Sequence, residues 1–347
     1  MTATRPDLGA PPKSAVATRP LLVRRLLPWA LVLAGVLAAV LLQTQLYSGQ
    51  ERTVTTIFMF VALAQGWNLI GGFTGYASFG QVVFFGIGGY TTAALMAHEG
   101  LSFWPSLVIS GLLAALFGAV IGLPLLRLRG HYFAIATLGV AEGTREVVTN
   151  IPSVTGGGAG ITVPSVGAHA PTAWLGNDGF YVLFLALAAF AVVVATLVAR
   201  SKFGYALRAI HQDEDAAASM GINTTVTKVT VFALSGFVVG LIGAAYAFQQ
   251  VTIYPERLFD ADITVLMVVM VVIGGSGTIL GPIIGAVALQ YLSEYLRHHS
   301  PEYHTFILGA IIIAAVVLLP QGAVNYVREA VRDRDFSLLR NIRRYRL

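Results

Sequence analysis

Long apolar runs recur from Leu26 almost to Pro320, separated by short polar breaks. A bilayer core about 30 Å thick needs roughly 20 apolar residues per helix. The pattern therefore predicts spans near 28–47, 53–71, 78–97, 104–126, 132–151 and 180–199, with further spans at 226–248, 263–296 and 304–320. Runs such as "FYVLFLALAAFAVVVATLVA" do not alternate between in and out, which argues against a β-barrel. Helices satisfy their own backbone hydrogen bonds where water is absent. The expected fold is thus an all-α polytopic membrane protein of about 8–10 transmembrane helices, some Gly-interrupted or re-entrant.

The interruptions come as a pair. In "VVIGGSGTILGPIIGAVAL", Gly274, Gly275, Gly277, Gly281 and Pro282 break the 263–296 region, leaving too few residues before the break for an ordinary span. An earlier segment, "LIGGFTGYASFGQVVFFGIGGY", opens similarly, with Ile70-Gly71-Gly72 and Gly75 matching Ile273-Gly274-Gly275 and Gly277. Such paired segments in two halves of a membrane protein are expected when broken helices line a central pathway. The glycines at 71, 72, 75, 274, 275 and 277, together with Gln81, are the candidates for a translocation pathway, and Gln65 and Asn68 are further hydrogen-bonding positions. Close helix packing is the alternative, since small residues let backbones approach, and Gly86, Gly88 and Gly89 would serve it.

Composition adds orientation. The chain has 347 residues, 56% hydrophobic and 11% charged, with mean hydropathy +0.74, whereas soluble domains carry about a quarter charged residues. A net charge of +5 and a pI near 9.5 do not point to nucleic acid here, because the basic residues flank apolar runs. Arg24/Arg25, Arg127/Arg129, Arg200/Lys202/Arg208 and a tail with Arg328, Arg332, Arg334, Arg340, Arg343, Arg344 and Arg346 are all expected on the cytoplasmic side. Parity then requires 263–296 to cross twice or to contain a re-entrant half. Three parts result: a disordered cytoplasmic tail at 1–25, a transmembrane domain at 26–325 with a cytoplasmic insert at 201–223, and a basic amphipathic cytoplasmic tail at 326–347. The first apolar run reads as a retained span, because "LLQTQLYSGQ" offers no small-x-small cleavage site. With no cysteine, disulfides, thiolate metal sites and cysteine catalysis are excluded.

A few charges fall inside spans. In "AIATLGVAEGTREVVTNI", Glu142, Arg145 and Glu146 share a helical face. Either the helix ends near Gly143 and leaves them at the membrane interface, or it continues and they line a water-filled pathway. Asp260 and Asp262 read as N-cap and first-turn residues of the helix that follows. The chain holds no phosphate loop, metal helix or nucleophile elbow. The cluster His298, His299, His304 reads as a polar loop rather than a metal site, and no cofactor is expected.

The insert "SKFGYALRAIHQDEDAAASMGIN" reads as two short helices. Phe203, Leu207 and Ile210 form an apolar stripe opposite Lys202, Arg208 and His211. In the second helix Asp213 is the expected N-cap, Glu214 and Asp215 complement the dipole, Ala216, Ala217 and Ala218 are strong helix formers, and Gly221 is the stop. A smooth, rigid knob of this kind suits a groove on another protein, while an interfacial helix resting on lipid headgroups is the alternative.

"DAAASMG" resembles the Ala-Ala-x-x-x-Gly loop by which permease subunits of bacterial ABC importers dock on their ATPases, with Asp215 where Glu is usual. "FTGYASFGQVVFFGIGGYTTAALM", "LRLRGHYFAIATLGVAEGTREVV", the insert and "MVVIGGSGTILGPIIGAVAL" resemble, in order, the branched-chain amino acid ABC permeases of the leucine/isoleucine/valine type. The resemblance runs from about Thr53 to Pro320, and His131 stands where relatives often carry Asp. It implies a type II-like importer permease of the bacterial inner membrane with both termini cytoplasmic. Implied partners are a second permease subunit, two cytoplasmic ATPases, a periplasmic or lipoprotein solute-binding protein and membrane lipids. Arg208, Asp213, Glu214, Asp215, Ala216, Ala217 and Gly221 would then couple to the ATPases. A urea or short-amide permease of the same family is an alternative. An ion-coupled transporter or channel using Glu142 and Arg145 is another, and an intramembrane enzyme, lacking any recognisable nucleophile or metal set, ranks last.

Overall fold

The computed structural model describes residues 21–45, 47–164, 176–319 and 321–333. Most of the expected N-terminal tail and the distal arginines from 334 onward lie outside them. Helix α1, Leu21–Gln43, already begins within the stretch expected to be tail. There follow α2 (Ser48–Thr74), α3 (Val82–His98), α4 (Phe103–Leu125), α5 (His131–Thr149), a single-turn α6 (Pro152–Thr155) and α7 (Gly176–Arg200). The insert forms α8 (Lys202–Gln212) and α9 (Glu214–Ser219). After it come α10 (Thr224–Gln250), the short α11 (Pro255–Leu258), α12 (Ala261–Gly274), α13 (Leu280–His299), α14 (His304–Leu318) and α15 (Ala323–Asp333). Two-residue strands β1 (Ile161–Thr162) and β2 (Thr252–Ile253) pair antiparallel. The expected boundary between transmembrane domain and tail, 325/326, falls inside α15.

Helices α2, α4, α7 and α10 are each long and apolar enough to cross a membrane, and α14 opens a fifth such stretch, 304–332. Length alone forbids one straight span at 263–296. The sequence divides into α12 and α13, which fold back on each other so that Gly274 packs on Gly281 and Met270 on Gly285.

Helix α2 is the axis of the molecule, with every residue from 61 to 74 buried. It touches α7, α10, α12 and α13, which explains why it continues through Gly71 and Gly72 where the sequence suggested a break. The actual stop is Gly75, left-handed at φ +76°. Beside it, α3, α4 and α10 pack closely enough that a Cβ on Gly88 would lie 2.0 Å from the Gly240 carbonyl oxygen. The close-packing reading of the α3 glycines is thus met at Gly88. By contrast, none of the residues of α14 is buried.

Two ends can be distinguished. The ends of α2 and α4 and the start of α10 meet the insert at one of them. The β-ribbon, the start of α2 and the end of α10 lie at the other.

Candidate functional site

Ser201 starts α8 by accepting a hydrogen bond from Gly204 N at 3.1 Å. The stripe then turns inward: Leu207 and Ile210 are buried, and α8 packs on α2, α7 and α10. Asp213 caps α9 through its Oδ1, which accepts from the backbone N of Asp215 and Ala216, both at 2.9 Å. Gly221, at φ +84°, ends the insert as Ile222 N returns to Ala217 O at 3.2 Å.

The acidic residues of α9 face the body of the protein. Glu214 Oε1 lies 2.6 Å from Lys228 Nζ, and its Oε2 accepts a hydrogen bond from the Tyr76 hydroxyl. Lys228 Nζ also donates to Tyr76 Oη at 2.9 Å and to the Leu126 carbonyl at 2.7 Å, and its side chain is only 4% exposed. Arg129 completes the network from the α4–α5 loop with a two-pronged pair on Asp215, at 3.0 and 2.8 Å, and stands 3.8 Å from Glu214. Burial pushes the Glu214 carboxyl up, but hydrogen bonds from Lys228 and Tyr76 and the charges of Lys228 and Arg129 outweigh it and hold the group below its ordinary 4.5. Hydrogen bonding to Arg129 likewise holds Asp215 below 3.8, and the same pairing raises Arg129.

Tyr76 links this network to the core. Its ring lies under the Lys228 ammonium at 4.5 Å and meets Phe133 edge-on at 5.3 Å; Phe133 meets Phe232 at 6.2 Å, and Phe232 meets Phe84 at 5.1 Å. Edge-to-face pairs of this kind are worth about 0.5–1.5 kcal/mol each beyond area burial. The loop carrying Tyr76 is itself fixed: Trp67 Nε1 donates to Ser78 O at 2.7 Å, and Val82 N donates to Thr264 Oγ1 of α12 at 2.9 Å.

The turn at 275–279 is the second element. Gly275 and Gly277 hold positive φ of 124° and 71°. Asn68 accepts from Gly277 N at 3.0 Å and donates to Thr278 O at 2.8 Å, and Gln65 donates to Ile279 O at 2.6 Å. Side chains on α2 thus satisfy the backbone groups that the break leaves without partners. The approach needs a glycine on α2, because a Cβ on Gly72 would stand 2.7 Å from Gly277 N. The two segments matched by sequence pattern thus meet in space, at Gly72 and Gly277.

The remaining candidates are placed elsewhere. Gln81 donates to Ser235 Oγ at 3.1 Å inside the bundle. Arg208 donates to the Gly204 carbonyl of α8 at 3.2 Å and to the Ala199 carbonyl at the end of α7. Helix α5 continues through Gly143 to Thr149, so it does not end where an interfacial reading of its charges would put the helix terminus. Arg145 pairs with Glu142 at 2.7 Å on its partly exposed side, whereas Phe133, Thr137 and Ala141 form the buried one. Ala217 is buried, and Ala216, Ala218, Ser219 and Met220 form the exposed surface of α9 and its end. The histidine cluster forms no metal site among the described residues.

Sequence reasoning missed Lys228 and Tyr76. Lys228 is one of only three lysines and sits four residues into a long apolar helix, a position where an ionisable group calls for a partner. That signal was present; the partner, 14 residues earlier across a turn, was not visible.

The family model for the branched-chain amino acid transport system / permease component matches residues 49–316. The chain belongs to this family. It is a multi-pass, all-helical membrane protein. It is 32% identical over 307 residues to the high-affinity branched-chain amino acid transport system permease protein LivM of Salmonella typhimurium, and equally to that of Escherichia coli, covering 82% of this chain and 72% of each relative. It is also 26% identical over 219 residues to the autoinducer 2 import system permease protein LsrC of Salmonella paratyphi B, covering 60% of each chain. No solved structure matches it.

Proposed function

We propose that the chain is a membrane subunit of an ATP-binding-cassette importer that passes branched-chain or related amino acids across the bacterial inner membrane. A solute-binding protein delivers the cargo, a second permease completes the pathway, and two ATPases on separate chains supply the energy. The observation that carries this reading is the capped helix α9, whose small exposed face projects while its acidic side is pinned to Lys228 and Arg129. A knob held this rigidly transmits a push instead of absorbing it.

In this reading the insert end is cytoplasmic and both termini lie on that side. An ATPase groove takes Ala216, Ala218 and Met220. Movement of α9 reaches Tyr76 through Glu214, then the loop before α3, then α12 through Val82 and Thr264. Asp213, Glu214 and Asp215 act as positioning residues that shape the knob, and Arg208 and Gly221 do the same for its two flanks.

The higher identity to LivM than to LsrC favours branched-chain amino acids over autoinducer 2 as the solute. The test is co-purification and transport. The wild-type chain, expressed with its neighbouring subunits, brings down an ATPase and supports ATP-dependent leucine uptake, and Ala218→Trp loses both while still inserting. Uptake that follows an ion gradient and ignores ATP would instead assign a secondary transporter, and competition of leucine uptake by urea would move the solute class.

A further inference from the structure

A cavity of about 820 Å³ opens at the ribbon end, the end opposite the insert. It lies between the starts of α2, α7 and α12 and the ends of α10 and α13, and runs along α2 from Gly49 to Phe60, a depth of about 16 Å at 1.5 Å per residue. Its volume falls in the range of roughly 300–1,000 Å³ typical of small-molecule sites.

The mouth and the floor differ in chemistry. Glu51 at the mouth is only 8% exposed, and its carboxylate accepts one hydrogen bond, from Gln43 at 3.3 Å, with no cationic partner among the described residues. The next residue, Arg52, also lines the cavity and forms no ion pair among them either. Consecutive residues on a helix point about 100° apart, so the two charges do not neutralise each other. Gln290, also 8% exposed, lines the α13 wall with no hydrogen-bond partner for its amide among the described residues. Below them the floor is apolar: Met59, Phe60, Phe85, Phe184 and Leu266.

A carboxylate that lacks a cation, a guanidinium that lacks an anion, an unused amide and an aromatic floor describe the complement of one ligand class. We infer that this cavity is a binding vestibule for a zwitterionic α-amino acid with an apolar side chain. Glu51 takes the ammonium, Arg52 the carboxylate, Gln290 hydrogen-bonds either group, and the side chain enters the floor beside Phe60 and Phe184. The vestibule stops about 7.5 Å, five residues of helix, above Gln65, where α2 holds the 275–279 turn.

The inference rests on the amino-acid importer reading, and its test separates the two. The full-length chain, with the subunits that co-purify with it, is placed in lipid nanodiscs and probed with radiolabelled L-leucine. Saturable binding is expected, displaced by isoleucine but at least tenfold less well by leucinol, which lacks the carboxylate, and by N-acetyl-leucine, which lacks the ammonium. Glu51→Gln weakens binding at least tenfold and Gln290→Leu severalfold, with thermal midpoints recorded so that misfolding is recognised; the competition series on the wild type needs no variant. Absence of saturable binding, or equal displacement by all three competitors, overturns the vestibule. If ATP-dependent leucine uptake persists in either case, only the vestibule falls; if the wild-type complex takes up no amino acid, the importer reading falls with it.

Discussion

Lys228 Nζ, almost fully buried at the start of α10, stands 2.6 Å from Glu214 Oε1 at the start of α9. The pair joins the polar insert to the membrane bundle across only 14 residues of chain, but its other partners, Tyr76 and the Leu126 carbonyl, come from the ends of α2 and α4. Four elements converge on one ammonium.

Removing that ammonium strands a carboxylate that is 15% exposed. Lys228→Met is expected to destabilise by about 3 kcal/mol, the scale for breaking a buried pair from one side. Lys228→Met combined with Glu214→Met regains most of the loss, since no charge is then left stranded. Tryptophan-fluorescence melting in detergent reads both; additive losses in the double variant would refute the coupling.

Arg129→Ala should behave differently, because the Arg129 and Asp215 side chains are 60% and 77% exposed and solvent screens their attraction. The melting midpoint stays nearly unchanged while α9 loses one tether. Limited proteolysis of the insert should quicken at least threefold in the variant, and rates equal to wild type would show that the pair does not position the helix.

Acidification acts on the same network. Glu214 and Asp215 have native pKa values depressed below 4.5 and 3.8. The folded state therefore holds these protons less tightly than the unfolded chain, and the stabilisation is complete above the ordinary values and lost as pH falls below them through the native ones. Insert protection in hydrogen exchange should be flat from pH 7 to about 5 and fall below about 4.5, with the fall reduced in the Lys228→Met/Glu214→Met variant. A loss centred near neutrality would contradict this assignment.

Gly88→Ala tests the packing of α3 on α10. The added methyl would meet the Gly240 carbonyl at 2.0 Å, a contact with backbone that no rotamer relieves. Destabilisation of about 3 kcal/mol is expected from such overpacking, seen as lower yield of monodisperse protein. Gly139→Ala on α5, where nothing lies within 4 Å, serves as the control and should be silent.

Much of this could be read from local pattern. Asp213 as a cap and Gly221 as a stop follow from side-chain and backbone chemistry within nine residues, and the structure places both there. The break at Gly274–Gly277 was equally visible, since four small residues interrupt an apolar run. Gly71 and Gly72 carried the same local signal but lie in continuous helix, because α2 is enclosed on all sides and burial fixes what propensity leaves open. Glu214 and Asp215 looked like surface charges for a partner to grasp. Their engagement by Lys228 and Arg129 depends on how the ends of separate helices meet, which no local pattern encodes.

Asn68 has one further consequence. Its carboxamide takes a hydrogen from Gly277 N and gives one to Thr278 O, as a peptide unit of a neighbouring strand would. The turn is thus held by a borrowed fragment of backbone, one amide wide, mounted sideways on a helix. Both bonds share one rigid plane, so they part together, at about 1 kcal/mol each. Neither aspartate, which cannot donate when ionised, nor leucine can replace it.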